Sequence, residues 1–173
     1  MPLSHILIMT GKQHLGLGVA MGLTSACAMY HDIPRAFAFT GVCAVGSIFP
    51  DIDIKNSTIG KKLKISGTIM RTLLSHRSIT HTPLFGALTA WLLYLLYEKY
   101  GMPIYIVNAW ILGYLIHLLQ DTFTKKGIKW FFPIYNKSIS LLKMRSSSKW
   151  GYFISLILYF VGTSILIYYI SPI

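Results

Sequence analysis

The sequence predicts an all-α fold: a polytopic transmembrane helical bundle of about five spans, with short interfacial helices on the cytoplasmic side. Hydrophobic residues make up 54% of the 173 residues and charged residues only 12%, whereas a soluble domain carries about 25% charged residues. Five apolar segments contain no Asp, Glu, Lys or Arg, and the basic residues lie between them. This arrangement is typical of a multi-pass membrane protein, so the net charge of +11 does not predict a nucleic-acid partner.

The five apolar segments cover residues 15–30, 36–49, 83–97, 104–119 and 151–170. A helix needs about 20 residues to cross a bilayer, so only the last segment is long enough without polar neighbours. We therefore expect the first helix to begin near Thr10 and to include His14. The second helix is expected to run over 33–50, and the fourth to continue through Asp121.

Three shorter patterns complete the predicted bundle. Residues 61–74 (KKLKISGTIMRTLL) predict a basic amphipathic helix lying along the anionic inner leaflet. Residues 130–132 (WFF) are typical of interfacial aromatics. Gly18 and Gly22 have the GxxxG spacing, which indicates close packing of the first helix against a neighbour.

The distribution of basic residues predicts the orientation of the bundle. With five spans, one side collects 14 of the 16 Lys and Arg residues, and such a side normally faces the cytoplasm. The N-terminus and both long connections are then cytoplasmic, and the C-terminus faces outward. We divide the chain into an N-terminal extension (1–8), a membrane-embedded metal-site domain with four spans (9–135), and a basic connection with a C-terminal transmembrane helix (136–173).

Histidines and aspartates gather at the segment ends that this topology places on the cytoplasmic face. His117 and Asp121 are four residues apart, on one face of the fourth helix. Imidazole nitrogens and carboxylate oxygens are ligands of divalent metals, so their convergence predicts a metal site. The candidate ligands are His14, Asp51, Asp53, His76, His81, His117 and Asp121.

Each of these patterns also has a simpler interpretation. His117 and Asp121 could form a hydrogen-bonded pair or a capped helix end, and the aspartates after Pro50 could belong to a turn. In the segment before the third helix, Thr82 is a candidate N-cap and Pro83 suits the first helical turn. His5, His31, Cys27 and Cys43 are given no metal role.

Four motifs in order along the chain resemble one known family. MTGKQH (9–14), FPDID (49–53), HRSITHT (76–82) and GYLIHLLQDTFTKKGIKWFFP (113–133) are similar to the YdjM-like bacterial inner-membrane proteins, described as membrane-bound metal-dependent hydrolases. Ile54 stands where the family often has His, and the first eight residues form an extension or precede an alternative start at Met9. The polar signature of the family matches His14, Asp51, Asp53, His76, Arg77, His81, His117 and Asp121.

The resemblance implies hydrolysis of a phosphoester or lipid-linked substrate at the cytoplasmic interface of the bacterial inner membrane. It implies a divalent metal, with Zn²⁺ first and Mn²⁺ or Fe as the other candidates, and membrane lipids as partners. Asp53 would be a bridging ligand or the general base, and Arg77 would bind a phosphate oxygen. The ligand types and spacing are also similar, more loosely, to those of zinc-dependent phospholipases C and P1-type nucleases.

Two other classes of function fit the same residues. One is a non-enzymatic membrane protein whose polar rim senses or conducts an ion, although the middle of the second, third and fifth segments offers no ionisable residue for a path. The other is a structural protein in which the histidines and aspartates only join helix ends.

Overall fold

A computed structural model of the chain describes residues 11–30, 32–53 and 79–141, and four helical positions at 157, 160, 164 and 168. Over the three continuous ranges the chain forms four α-helices and no strand, apart from one isolated bridge. The helices are α1 (Gly11–Met29), α2 (Ile33–Ile48), α3 (Pro83–Tyr100) and α4 (Ile104–Thr122). The prediction of an all-α protein is confirmed.

The first two helices lie close to their predicted positions. α1 begins one residue after Thr10 and includes His14. α2 begins at Ile33 as predicted but ends at Ile48, where a 3₁₀ helix (Phe49–Asp53) continues the chain. Pro50 explains the change, because it has no N–H to donate to the α-helical ladder.

The third and fourth helices also follow local signals. Thr82 is the N-cap of α3, as predicted, and its hydroxyl accepts a hydrogen bond from the Phe85 N–H at 3.3 Å. α3 ends at Tyr100 and is capped by Gly101, whose φ of +65° is the left-handed conformation that favours glycine. α4 runs through Thr122 and therefore contains Asp121, as expected.

Small residues bring the helices together. α2 lies between α1 and α4, and α3 packs against α4. Gly18 faces Ser47, and Gly22 faces Cys43, so the predicted GxxxG packing of α1 is confirmed. On the other side of α2, Gly113 of α4 approaches the Cys43 carbonyl so closely that a Cβ would collide with it.

Many large apolar side chains lie on the outer surface of the helices, although Phe39 and Leu118 are buried. The buried residues include Ala20, Ala26, Ala44, Ala90 and Ala109, whereas Phe37, Leu84, Leu88, Trp91 and Leu95 are exposed. A soluble protein rarely leaves so many large apolar side chains exposed to water. Small residues inside and large residues outside are typical of helices that pack in lipid.

Among the residues that the structure describes, two helical stretches are long and apolar enough to cross a membrane: Ile33–Asp51 and Ile104–Thr122. α1 and α3 form at the predicted places but do not meet this criterion. Lys12, Gln13 and His14 add polarity to α1, and Glu98 with Lys99 does the same for α3. The expected fifth span and the 61–74 helix fall outside the described residues, so the count of five spans stays a prediction.

The chain after α4 folds back over the end of that helix. Ile128 and Ile139 form an antiparallel bridge, and the Leu141 N–H donates to the Thr122 carbonyl at 2.9 Å. Gly127 has φ +63°, and a Cβ there would strike the Ile139 carbonyl. These contacts define a closed segment, the 123–141 loop, at the same end of the bundle as Asp121.

Candidate metal centre

Five of the predicted ligands meet at one end of the helical bundle. His14 lies in the first turn of α1, and Asp51 lies in the 3₁₀ helix after α2. His81 comes just before α3, and His117 and Asp121 lie in the last turns of α4. Helix starts and helix ends coincide because α1 and α3 begin where α2 and α4 end. The structure therefore brings these five of the seven predicted ligands together at one end of the bundle.

The ligand atoms are close enough to share an ion. His81 Nε2 lies 3.3 Å from Asp51 Oδ1 and 3.8 Å from Asp121 Oδ2. Asp121 Oδ2 also lies 3.7 Å from His117 Nε2, and Asp121 Oδ1 lies 3.5 Å from His14 Nε2. Two ligands that each lie about 2.0–2.2 Å from one ion are separated by roughly 3–4.4 Å. The observed separations fall in that range.

Two overlapping triads describe the same cluster. The ligand atoms of His14, Asp51 and His117 lie within 4.8 Å of one another, and so do those of His81, His117 and Asp121. His117 belongs to both triads and is the centre of the arrangement. Its ring stacks on that of His14, with centroids 3.9 Å apart, and meets the edge of His81 at 5.1 Å.

The cluster is almost completely shielded from solvent. His14 and His117 are 0% exposed, Asp51 is 5% exposed, and His81 and Asp121 are each 7% exposed. Burying carboxylates and imidazoles costs free energy unless hydrogen bonds, counter-charges or a metal compensate them. The compensation therefore has to come from within the cluster.

Outer hydrogen bonds fix the tautomers of two histidines. His117 Nδ1 lies 2.7 Å from the Ser47 carbonyl oxygen, which can only accept, so Nδ1 carries the hydrogen and Nε2 of the neutral ring holds a lone pair. His14 Nδ1 lies 2.5 Å from Gln120 Oε1. The Gln120 amide nitrogen donates to the Gln13 carbonyl at 3.5 Å, which directs Oε1 towards His14. In its neutral form each ring therefore presents an Nε2 lone pair to the aspartates.

His81 is held in a similar way from the start of α3. Its Nδ1 lies 3.1 Å from the Thr80 hydroxyl, leaving Nε2 directed at Asp51. The Tyr114 hydroxyl donates to the Thr80 carbonyl and so ties this segment to α4. Orientation of a ligating imidazole through its second nitrogen is a regular feature of metal sites.

Three buried atoms in the cluster lack a hydrogen-bond partner among the described residues: His14 Nε2, His117 Nε2 and Asp121 Oδ1. Lone pairs and a carboxylate oxygen repel one another when nothing lies between them. A divalent cation converts this repulsion into attraction and satisfies all three atoms. The residues present therefore fit a metal ion.

Three predicted site residues are not placed in this cluster. His76 and Arg77 lie outside the described residues, as does Ile54. Asp53 ends the 3₁₀ helix two residues after Asp51, and only its backbone position is described. The ligand and catalytic roles of these residues stay predictions.

Sequence reasoning missed the residues that orient the histidines. Gln120 is an amide within an otherwise apolar helical stretch, next to Asp121, and that isolated polarity was a usable signal. Ser47 acts through its backbone carbonyl, which every residue type has. No sequence pattern could have identified that contact.

Comparison with known proteins extends the likeness along most of the chain. The family model described as "YdjM inner membrane protein" matches residues 9–171, which continues well past Pro133. The protein named "Uncharacterized protein YvsG" from Bacillus subtilis (strain 168) is 34% identical over 125 residues, covering 72% of this chain and 74% of that protein. The "Inner membrane protein YdjM" of Escherichia coli (strain K12) is 31% identical over 137 residues, covering 72% of this chain and 66% of that protein.

No solved structure matches the chain. The looser likeness to zinc-dependent phospholipases C and P1-type nucleases therefore rests on ligand types and spacing alone. The family match is of a different kind, because it spans nearly the whole chain and agrees with the apolar outer surface of the helices. The chain belongs to the YdjM inner membrane protein family.

Proposed function

We propose that this membrane protein is a metal-dependent hydrolase acting on a phosphoester or lipid-linked substrate. The observation that carries the proposal is the set of three unpartnered buried atoms on His14, His117 and Asp121, surrounded by two further ligands. An ion pair between His14 and Asp121, whose atoms lie 3.5 Å apart, would still leave His117 Nε2 without a hydrogen-bond partner among the described residues. A bound cation accounts for all three atoms at once.

Five side chains would hold the ion: His14, Asp51, His81, His117 and Asp121. The sequence adds His76 and Asp53 as further candidate ligands, and Zn²⁺ as the first candidate ion, before Mn²⁺ and Fe. A divalent cation supplies Lewis acidity and makes water a nucleophile at neutral pH.

The protein residues then have separate tasks. Ser47 and Gln120 keep the imidazoles of His117 and His14 directed at the ion, and the tight packing around them excludes bulk water. From the sequence pattern, Asp53 would take the proton from the attacking water. The Arg77 guanidinium would bind a phosphate oxygen of the substrate.

The membrane setting supports a substrate with a lipid component. We propose five spans with the N-terminus and the metal end in the cytoplasm, because the positive-inside rule favours that orientation for 14 of the 16 basic residues. All five ligands lie at the ends of helices, where lipid phosphates are found. The scissile bond of a lipid phosphate would therefore lie at the depth of the site.

Metal analysis of the purified protein tests the proposal. We expect stoichiometric transition metal in the wild type and its loss in the Asp51→Ala, His117→Ala double variant. Glu98→Gln is a matched control, because Glu98 is an exposed carboxylate on α3 that bonds only Tyr94 among the contacts observed. Wild-type protein without metal, or a double variant with unchanged metal, would defeat the proposal.

One observation favours a second candidate, a non-catalytic metal-sensing or structural site. His14 and His117 are fully buried, and closed sites are typical of structural metals, whereas catalytic sites keep a position open. Activity decides between the two. The second candidate would be favoured by two results together. The metal-loaded wild type would hydrolyse neither soluble phosphodiesters nor lipid phosphates, and the double variant would lose only stability.

A further inference from the structure

The 123–141 loop exposes large apolar side chains beside the metal end of the bundle. Ile134 is 96% exposed, and Leu141 and Phe131 are 62% and 61% exposed. Tyr135 is also exposed, at 47%. Within the part of the chain that the structure describes, about half or more of each of these side chains stays accessible.

The same loop is basic. It contains Lys125, Lys126, Lys129 and Lys137, and no Asp or Glu occurs from residue 122 to residue 141. The Lys137 ammonium lies 5.8 Å from the centre of the Tyr135 ring. Exposed apolar side chains interspersed with lysines match the surface of an anionic lipid bilayer, in which negatively charged headgroups cover apolar acyl chains.

The loop backbone holds its apolar side chains away from the bundle. The Ile128–Ile139 bridge closes the loop, and the Ser140 hydroxyl donates to the Thr124 carbonyl at 2.6 Å. The Trp130 indole donates to the Thr122 hydroxyl at 2.9 Å. The Trp130 bond and the bond from the Leu141 N–H to the Thr122 carbonyl tie the loop to the last residue of α4, and the other two bonds close the loop on itself.

We propose that the 123–141 loop docks into an anionic phospholipid headgroup layer. Phe131, Ile134 and Leu141 enter the acyl boundary, and the lysines lie against headgroup phosphates. Since the loop is bonded to Thr122, the residue directly after Asp121, docking holds the metal end at headgroup depth. The proposal does not depend on bound metal or on hydrolysis, so it can fail while the proposed function stands.

Spin-label accessibility in nanodiscs containing phosphatidylglycerol tests the docking. Nitroxides are attached to the full chain at Ile134→Cys or, as the matched control, at Ser138→Cys, an exposed polar position in the same loop. Cys27 and Cys43 are replaced by Ala in both. We expect the spin label at residue 134 to collide readily with oxygen. Its collision rate with a water-soluble nickel complex should be severalfold lower than that of the label at residue 138.

Charge is tested by Lys125→Gln with Lys137→Gln, or by discs of phosphatidylcholine alone. Either change should raise nickel collisions at residue 134 severalfold. Equal nickel access at 134 and 138 would overturn the proposal, and so would a label at 134 shielded from both reagents, which would indicate a protein contact.

A second measurement avoids the cysteine replacements. In the otherwise native chain, brominated lipids should quench the tryptophan fluorescence added by Ile134→Trp. They should not quench the fluorescence added by Ser138→Trp. Equal quenching of the two variants would overturn the proposal by itself.

Discussion

Each histidine of the cluster uses one ring nitrogen for the protein and keeps the other for the centre. Each Nδ1 has a protein partner: the Ser47 carbonyl for His117, the Gln120 side chain for His14 and the Thr80 hydroxyl for His81. The three Nε2 atoms therefore converge, although the residues come from three different helix ends. Such preorganisation lowers the cost of orienting ligands when an ion binds.

Gln120 should accordingly act as a positioning residue. Gln120→Leu keeps the approximate volume but removes the acceptor for His14 Nδ1, so the ring loses its orientation. We expect metal affinity to fall about 10–100-fold, the usual effect of removing such a partner. Equilibrium competition against a chelator of known affinity measures the change.

Gln120→Glu is the matched variant, because it restores an acceptor at the same place. Its affinity should be well above that of Gln120→Leu. If both variants bind metal as tightly as the wild type, Gln120 does not orient a ligand.

At the scale of helices, close backbone approach determines how the site is assembled. α2 carries Asp51 at its end and α4 carries His117 and Asp121, so the α2–α4 contact determines their separation. Gly46 of α2 lies against α4, and a Cβ built there is 2.9 Å from the Trp110 carbonyl oxygen. Helices can approach this closely only where side chains are absent.

Gly46→Ala should therefore destabilise the bundle, by about 1–3 kcal/mol as in other overpacked interiors. Gly41 lies on the same helix with nothing within 4 Å of a built Cβ. Gly41→Ala should be neutral or slightly stabilising, because alanine favours a helix over glycine. The free energy of unfolding of each variant, determined for protein purified in a mild detergent, measures both effects. Equal effects of the two substitutions would mean that this contact does not limit the helix approach.

For the whole molecule, metal binding and folding should be linked. An ion that binds only the folded state stabilises it by about 2.7 kcal/mol when the free ion is at 100 times its dissociation constant. Chelation should therefore lower the midpoint of thermal unfolding, and readdition of metal should restore it.

His117→Gln provides the comparison for that linkage, because it removes the residue shared by both triads. Its unfolding midpoint should not respond to chelation. A wild-type midpoint that is equally insensitive would argue against a metal bound to the native state.

Topology is a second prediction for the whole molecule. Five spans with an inner N-terminus place residues 57 and 146 on the same, cytoplasmic side. Ser57→Cys and Ser146→Cys should both be blocked by a membrane-impermeant thiol reagent only after the inner face is exposed. Labelling of the two cysteines from opposite sides would refute this topology.

The helices and their bounds were largely predictable from local pattern. Apolar runs free of charge placed α1 to α4, Thr82 and Pro83 indicated the start of α3, and Gly18 with Gly22 indicated the packed face of α1. Such signals are predictable because they depend on neighbouring residues within a turn or two. The 3₁₀ end of α2 was not predicted, since the second helix was expected to continue to residue 50.

The candidate site was predictable in its membership and not in its geometry. Residue types and positions at segment ends selected seven candidate ligands, because few ionisable residues occur in so apolar a chain, and the structure brings five of them together. Which atom of each side chain faces the centre depends on partners far away in sequence. His117 meets a carbonyl 70 residues away, and His14 meets Gln120 at 106 residues. Only the packed helices bring such groups together, so the tertiary structure alone decided the orientation of the histidines and the closure of the 123–141 loop.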